Sequence, residues 1–155
     1  MTKIRDKTIF SGLLCLVVPL FCFAEPSADP LVGVWKHSAF VQLSDGKVVR
    51  KYDSADGATL EYRANGTWRL KNPPHQSSGT YRWTNGLLES TITGSDLPHQ
   101  IGFTSMKKAT IHDQTLVLVM DYDEEGMKAM PARPDGTRPK SMTATSTFRK
   151  ITAVK

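Results

Sequence analysis

The chain has 155 residues, with 20 Lys and Arg against 15 Asp and Glu for a formal charge of +5, which suits one domain built on a single core. The cations are spread along the sequence, and three of them (Lys3, Arg5 and Lys7) sit at its start, which argues against a nucleic-acid footprint. Both cysteines, Cys15 and Cys22, fall in an N-terminal leader, so removal of that leader would leave a domain without a disulfide, a thiol nucleophile or a thiolate metal site.

The leader has the form of a signal peptide. A positive n-region precedes an apolar run over 9–23, and Cys22 and Ala24 are the small residues that a signal peptidase reads. The run is short for a spanning helix and contains Pro19, so a retained membrane anchor is disfavoured. Residues 1–24 are therefore predicted to be a cleaved signal peptide and 25–30 a polar leader. Residues 31–155 form the domain of a periplasmic or secreted protein, with no membrane span in the mature form.

Leu31-Val32-Gly33-Val34-Trp35 opens that domain, and apolar residues continue through Phe40, Val41 and Leu43. A Ser44-Asp45-Gly46 turn leads to a strand over 47–52, and Asp56-Gly57 turns into the most informative stretch, 58–92. Two Asn-Gly dipeptides, at 65–66 and 85–86, lie between alternating apolar and polar residues there, a strong hairpin signal. A one-residue slip of register moves every side chain to the opposite face, so the apolar pattern selects the loop. A three-residue loop over 64–66, with Gly66 as a bulge, pairs Tyr62 with Trp68 and Leu60 with Leu70. In the second hairpin a two-residue loop at Asn85-Gly86 pairs Trp83 with Leu88 and Tyr81 with Ser90, placing Tyr81, Trp83, Leu88 and Ile92 on one face.

Pro73-Pro74 and the residues to Ser78 read as a loop, and 94–98 as another break. A weakly patterned strand is expected over 101–111, then a turn at 112–114. The most apolar strand follows at 115–122, with Leu116, Leu118, Met120 and Tyr122 on one face. An irregular stretch over 123–139, rich in Pro, Gly and charge, has the length of a lid or binding loop. A strand over 141–151 closes the chain. No segment longer than a turn has helical periodicity, so the expectation is all-β: an antiparallel up-and-down β-barrel of about eight strands.

Leu31-x-Gly33-x-Trp35 near the start, Phe148-Arg149 in the last strand, Asn65-Gly66-Thr67-Trp68 and Gly79-Thr80-Tyr81 together resemble the lipocalin-like, or calycin-type, barrels. The last two of these motifs look more specifically like the small secreted bacterial domains of that kind. The resemblance covers about 31–151. It implies that Gly33 and Trp35 close one end of the barrel and that Arg149 lies across the indole, a cation–π contact of roughly 0.5–2 kcal/mol. The long 123–139 segment departs from the simple hairpin of that pattern.

The inward set includes Tyr62, Trp68, Tyr81, Trp83, Leu116, Leu118 and Met120. It either lines a ligand cavity or fills the barrel, because an eight-stranded barrel is wide enough for one small ligand or for its own side chains. These seven are the predicted ligand-binding residues. Met127, Lys128, Arg133 and Arg138 are a candidate lid or partner surface on the 123–140 loop.

No catalytic residue, metal site or cofactor is assigned. His37, His75, His99 and His112 show no ligand spacing. Asp121, Asp123, Glu125 and Gly126 imitate the start of a calcium loop, but Ala132 stands where its closing carboxylate is needed. Ser105-x-x-Lys108 matches a penicillin-recognising motif without its helix or its partner motifs. The expected function is an exported, non-enzymatic barrel that binds a small, partly apolar molecule in its cup, with 123–140 at the mouth. The alternative is a packed barrel that binds another protein as an inhibitor, immunity factor or envelope accessory. A cavity enzyme such as an isomerase or hydratase, with Glu61, Glu89 or a histidine as base, ranks third because both glutamates face outward in the chosen register.

Overall fold

A computed structural model describes residues 29–53, 57–128, 132 and 136–151. The signal-like leader lies outside these residues, as do Met130 and Arg133 of the 123–140 loop.

The architecture is all-β. Among the described residues nine strands form one antiparallel sheet: β1 (Gly33–Ser44), β2 (Lys47–Asp53), β3 (Thr59–Tyr62), β4 (Thr67–Asn72), β5 (His75–Thr84), β6 (Leu87–Ser95), β7 (Thr104–His112), β8 (Thr115–Tyr122) and β9 (Met142–Lys150). From β3 to β9 each strand pairs with the next, and β1 closes the ring by pairing with both β3 and β9. The result is an eight-stranded barrel with one extra strand. β1 is long enough to hold two neighbours on one edge: Gly33 to Lys36 pair with β3, and Ala39 to Ser44 pair with β2. β2 therefore stands outside the ring. It is almost wholly exposed and carries Lys47, Arg50 and Lys51, the charged dressing that keeps a free edge from pairing with other chains.

Both Asn-Gly hairpins adopt the registers expected from their patterns. Tyr62 faces Trp68 and Leu60 faces Leu70 across β3–β4, with Gly66 at φ 77° as the bulge residue. Trp83 faces Leu88 and Tyr81 faces Ser90 across β5–β6, and Asn85 and Gly86 take the two positive φ values, 52° and 79°, of a type I′ turn. Two expectations shift. The strand after Pro73-Pro74 begins at His75, because 75–78 continue the ladder opposite 69–72 of β4. Ile101 to Phe103 belong to a loop rather than to β7, and a single 3-10 turn over Pro98–Gln100 precedes them.

The two ends of the barrel differ. The β3–β4, β5–β6 and β7–β8 turns gather at the end where β1 begins, and there Leu31 and Trp35 are fully buried. The indole N–H of Trp35 donates to the Leu31 carbonyl at 2.7 Å, so the segment before β1 folds across this end as a plug. The cation on the indole is Lys150, whose Nζ lies 5.1 Å from the ring centroid, and not Arg149. β9 alternates, so Phe148 and Lys150 turn inward while Arg149 is exposed opposite Lys36. Gly33 makes room for that contact, because a Cβ there would meet Lys150 Cε at 2.7 Å. Leu88, Ala109, Leu116 and Phe148 complete the core of this half, with Tyr81, Trp83 and Ile111 packed against it.

Candidate functional site

Among the described residues the other half of the barrel is open. Its cavity of about 550 Å3 is bounded on one side by Leu60, Tyr62, Trp68 and Leu70 of β3 and β4, and on the other by Phe40, Leu118, Met120 and Phe148. That volume is typical of small-molecule sites, which run from about 300 to 1,000 Å3. The walls are mainly apolar because each strand turns alternate residues inward. Packed and open therefore coexist in one barrel: the plugged half is filled by its own side chains, and the far half is a cup.

Four of the seven residues predicted to bind ligand line the cup: Tyr62, Trp68, Leu118 and Met120. The other three do not. Leu116 is fully buried in the plugged half. The Tyr81 hydroxyl donates to the Arg63 carbonyl at 3.0 Å and lies 3.2 Å from an Asp29 carboxylate oxygen, which ties the segment before β1 to the barrel. Trp83 keeps its indole N–H buried and unpartnered there. The bulk of Tyr81 and Trp83 thus goes into closing the barrel. Burial, with the Asp29 carboxylate second, pushes the Tyr81 phenol up to about 12.

Trp68 reaches its place through a glycine. Its indole donates to the Thr80 carbonyl at 3.0 Å and crosses β5 at Gly79, where a Cβ would overlap the Thr91 carbonyl oxygen and lie 3.0 Å from the indole nitrogen. The mouth of the cup is formed by the β6–β7 loop, which contributes His99, Gln100 and Phe103. Backbone bonds from Ile92 to Phe103 and from Gly102 to Ile92 fold this loop back on β6. Phe103 remains half exposed at the entrance.

The polar part of the cup is a cluster that the sequence concealed. Ser90 of β6 and Ser105 of β7 are cross-strand partners with hydroxyls 3.2 Å apart. Lys107, two residues along the same face of β7, donates to Ser90 Oγ at 2.9 Å and to Ser105 Oγ at 2.6 Å. Burial lowers the Lys107 amine to about 8, since a low-dielectric wall disfavours the charged form. Its neighbour Lys108 points outward and pairs with Asp121 at 3.2 Å. The lysine of the Ser105-x-x-Lys108 spacing is therefore on the wrong face, and the serine's partner is Lys107. Of two adjacent lysines only the alternation can say which is inside, and on β7 the inward residues Ser105, Lys107, Ala109 and Ile111 contain too few large apolar groups to reveal it.

The 123–140 segment leaves β8 at the cup end. A short helix, α1 (Glu124–Lys128), begins it, and Met127 is buried rather than displayed for a partner. Lys128 pairs with Glu125 at 2.6 Å, and Arg138 bonds the Lys128 carbonyl. Asp45 in the β1–β2 turn accepts the backbone N–H groups of Lys140 and Ser141 at 2.7 and 3.1 Å. Met127, Lys128 and Arg138 are not among the residues lining the cup. A more open depression of about 660 Å3 lies beside β4–β6 among Arg63, Arg69, Gln76 and Asp96, and its charged rim buries little apolar surface.

Among solved structures the chain is similar to an uncharacterized protein from Bacteroides eggerthii DSM 20697. Identity is 17%, the match covers 78% of this chain and 99% of that one, and the TM-score is 0.44. No protein-family model and no curated protein matches the chain.

Proposed function

We propose that the chain is an exported, lipocalin-like barrel that binds a small, partly apolar molecule in its cup without transforming it. The observation that carries this reading is the cup itself: an apolar cavity of about 550 Å3 in one half of a barrel whose other half is plugged and packed. Each methylene moved from water onto such walls contributes ~0.8 kcal/mol. Tyr62, Trp68, Leu118 and Met120, joined by Phe40 and Phe103, are the binding residues. The lipocalin-like assignment is supported by Gly33, Trp35 and a last-strand cation over the indole, with lysine in the place of arginine. Export to the periplasm or beyond is supported by the leader over 1–24.

The test is native mass spectrometry of the protein purified gently from the periplasm, set against its denatured mass. A discrete excess that leaves on denaturation is expected, and Met120→Trp, which fills the cup, should abolish it. A bare mass, together with no binding of an apolar dye such as anilinonaphthalene sulfonate, would overturn the reading.

A further inference from the structure

An apolar cup has no need of an ammonium group, and Lys107 places one in its wall. Two of its three N–H donors go to Ser90 and Ser105. Among the described residues none of the ion pairs involves Lys107, and no aspartate or glutamate lines the cup. Taking an ammonium out of water costs several kcal/mol unless an opposite charge compensates it, and two neutral hydroxyls compensate only in part. Lys108, one residue on, shows the contrast: it turns out to solvent and finds Asp121. Among the described residues the cup thus holds a cation propped in a fixed position, with one donor uncommitted and an apolar chamber beside it.

We propose that the cup selects an anionic amphiphile, whose monoanionic head pairs with Lys107 between Ser90 and Ser105 while its hydrocarbon part lies against Trp68, Leu118 and Met120. This rests on the cup-binding reading and assigns its ligand class. The chemistry fits one ammonium and two hydroxyls: a carboxylate accepts all three, and such charge-assisted bonds are about twice as strong as neutral ones. The lowered basicity of Lys107 follows from its burial, and an arriving anion would raise it again.

Decanoate and decanol, titrated by calorimetry, separate the two ideas. A wholly apolar cup prefers the alcohol, because the carboxylate is better hydrated. We expect decanoate to bind about ten- to a hundredfold more tightly than decanol, the worth of one charge-assisted contact. Lys107→Met should erase that preference while keeping decanol binding, which also reports that the variant is folded. A measurement on the unaltered protein stands beside it: decanoate affinity should fall as pH rises through about 8, where Lys107 loses its charge, and decanol affinity should not. The other titratable groups lining the cup are Tyr62 of β3 and His99 of the mouth. Burial holds Tyr62 well above the ordinary phenol range and hence neutral, and His99→Gln controls for the histidine. If neither probe binds, the cup reading itself fails. If both bind with similar affinity, or if decanoate is preferred equally by Lys107→Met, the cup stands and the assignment of an anion to Lys107 is overturned.

Discussion

A buried lysine has a signature in stability as well as in binding. The amine of Lys107 sits near 8 in the folded protein and near 10.4 in an unfolded chain. The unfolded state therefore binds more protons between these values, and stability rises with pH across that window. Below it the burial penalty is fully present. Replacing Lys107 by Met should raise stability near neutral pH by on the order of 3 kcal/mol, and the advantage should shrink to nothing above about pH 10.4. Urea midpoints of the two proteins across that range measure the difference directly. The raised phenols of Tyr62 and Tyr81 act in the opposite direction, because a folded acid of raised pKa loses stability as the unfolded phenol ionises. That loss is common to both proteins and cancels from their difference.

At the scale of the element, the hairpins were legible because their determinants are local. Asn85 and Gly86 take positive φ cheaply, and the pairing of Tyr62 with Trp68 follows once one face must be apolar. Gly79 was legible only as part of a motif; its cause is tertiary. The β5 backbone passes so close to Thr91 and to the Trp68 indole that no Cβ fits. Gly79→Ala must push β5 from β6 or evict Trp68 from the cup wall, and we expect it to cost about 3 kcal/mol or more, within the range of overpacked cores. Thermal unfolding should show the loss, and Trp68 emission should shift to the red. An unchanged melting temperature would mean that the close approach relaxes freely. β7 was hardest to read because its inward face is Ser105, Lys107, Ala109 and Ile111, with exposed Met106 on the other side.

For the whole molecule, the division into a packed and an open half predicts an asymmetry. Leu116 is fully buried among Leu88, Trp35 and Phe148, so Leu116→Ala opens a cavity and should cost about 2–5 kcal/mol in denaturant unfolding. Met120, on the same strand and the same face, borders space that is already empty. Truncating it forfeits fewer contacts, and Met120→Ala should cost roughly 1 kcal/mol while weakening binding in the cup. Equal costs would mean that the cup closes on itself in solution.

The sequence by itself determined the all-β class, the near count of strands and the register of both Asn-Gly hairpins, because alternation and turn chemistry act between near neighbours. It also placed Tyr62, Trp68, Leu118 and Met120 on the inner surface. Only the tertiary structure decided which inner residues meet space and which meet one another, since that depends on Leu31 and Trp35 plugging one end while the β6–β7 loop leaves the other open. The same closure decided that Lys150, not Arg149, covers the indole. It decided too that Lys107, not Lys108, brings charge inside, because in a doublet of lysines composition is silent and only the pleat assigns a side.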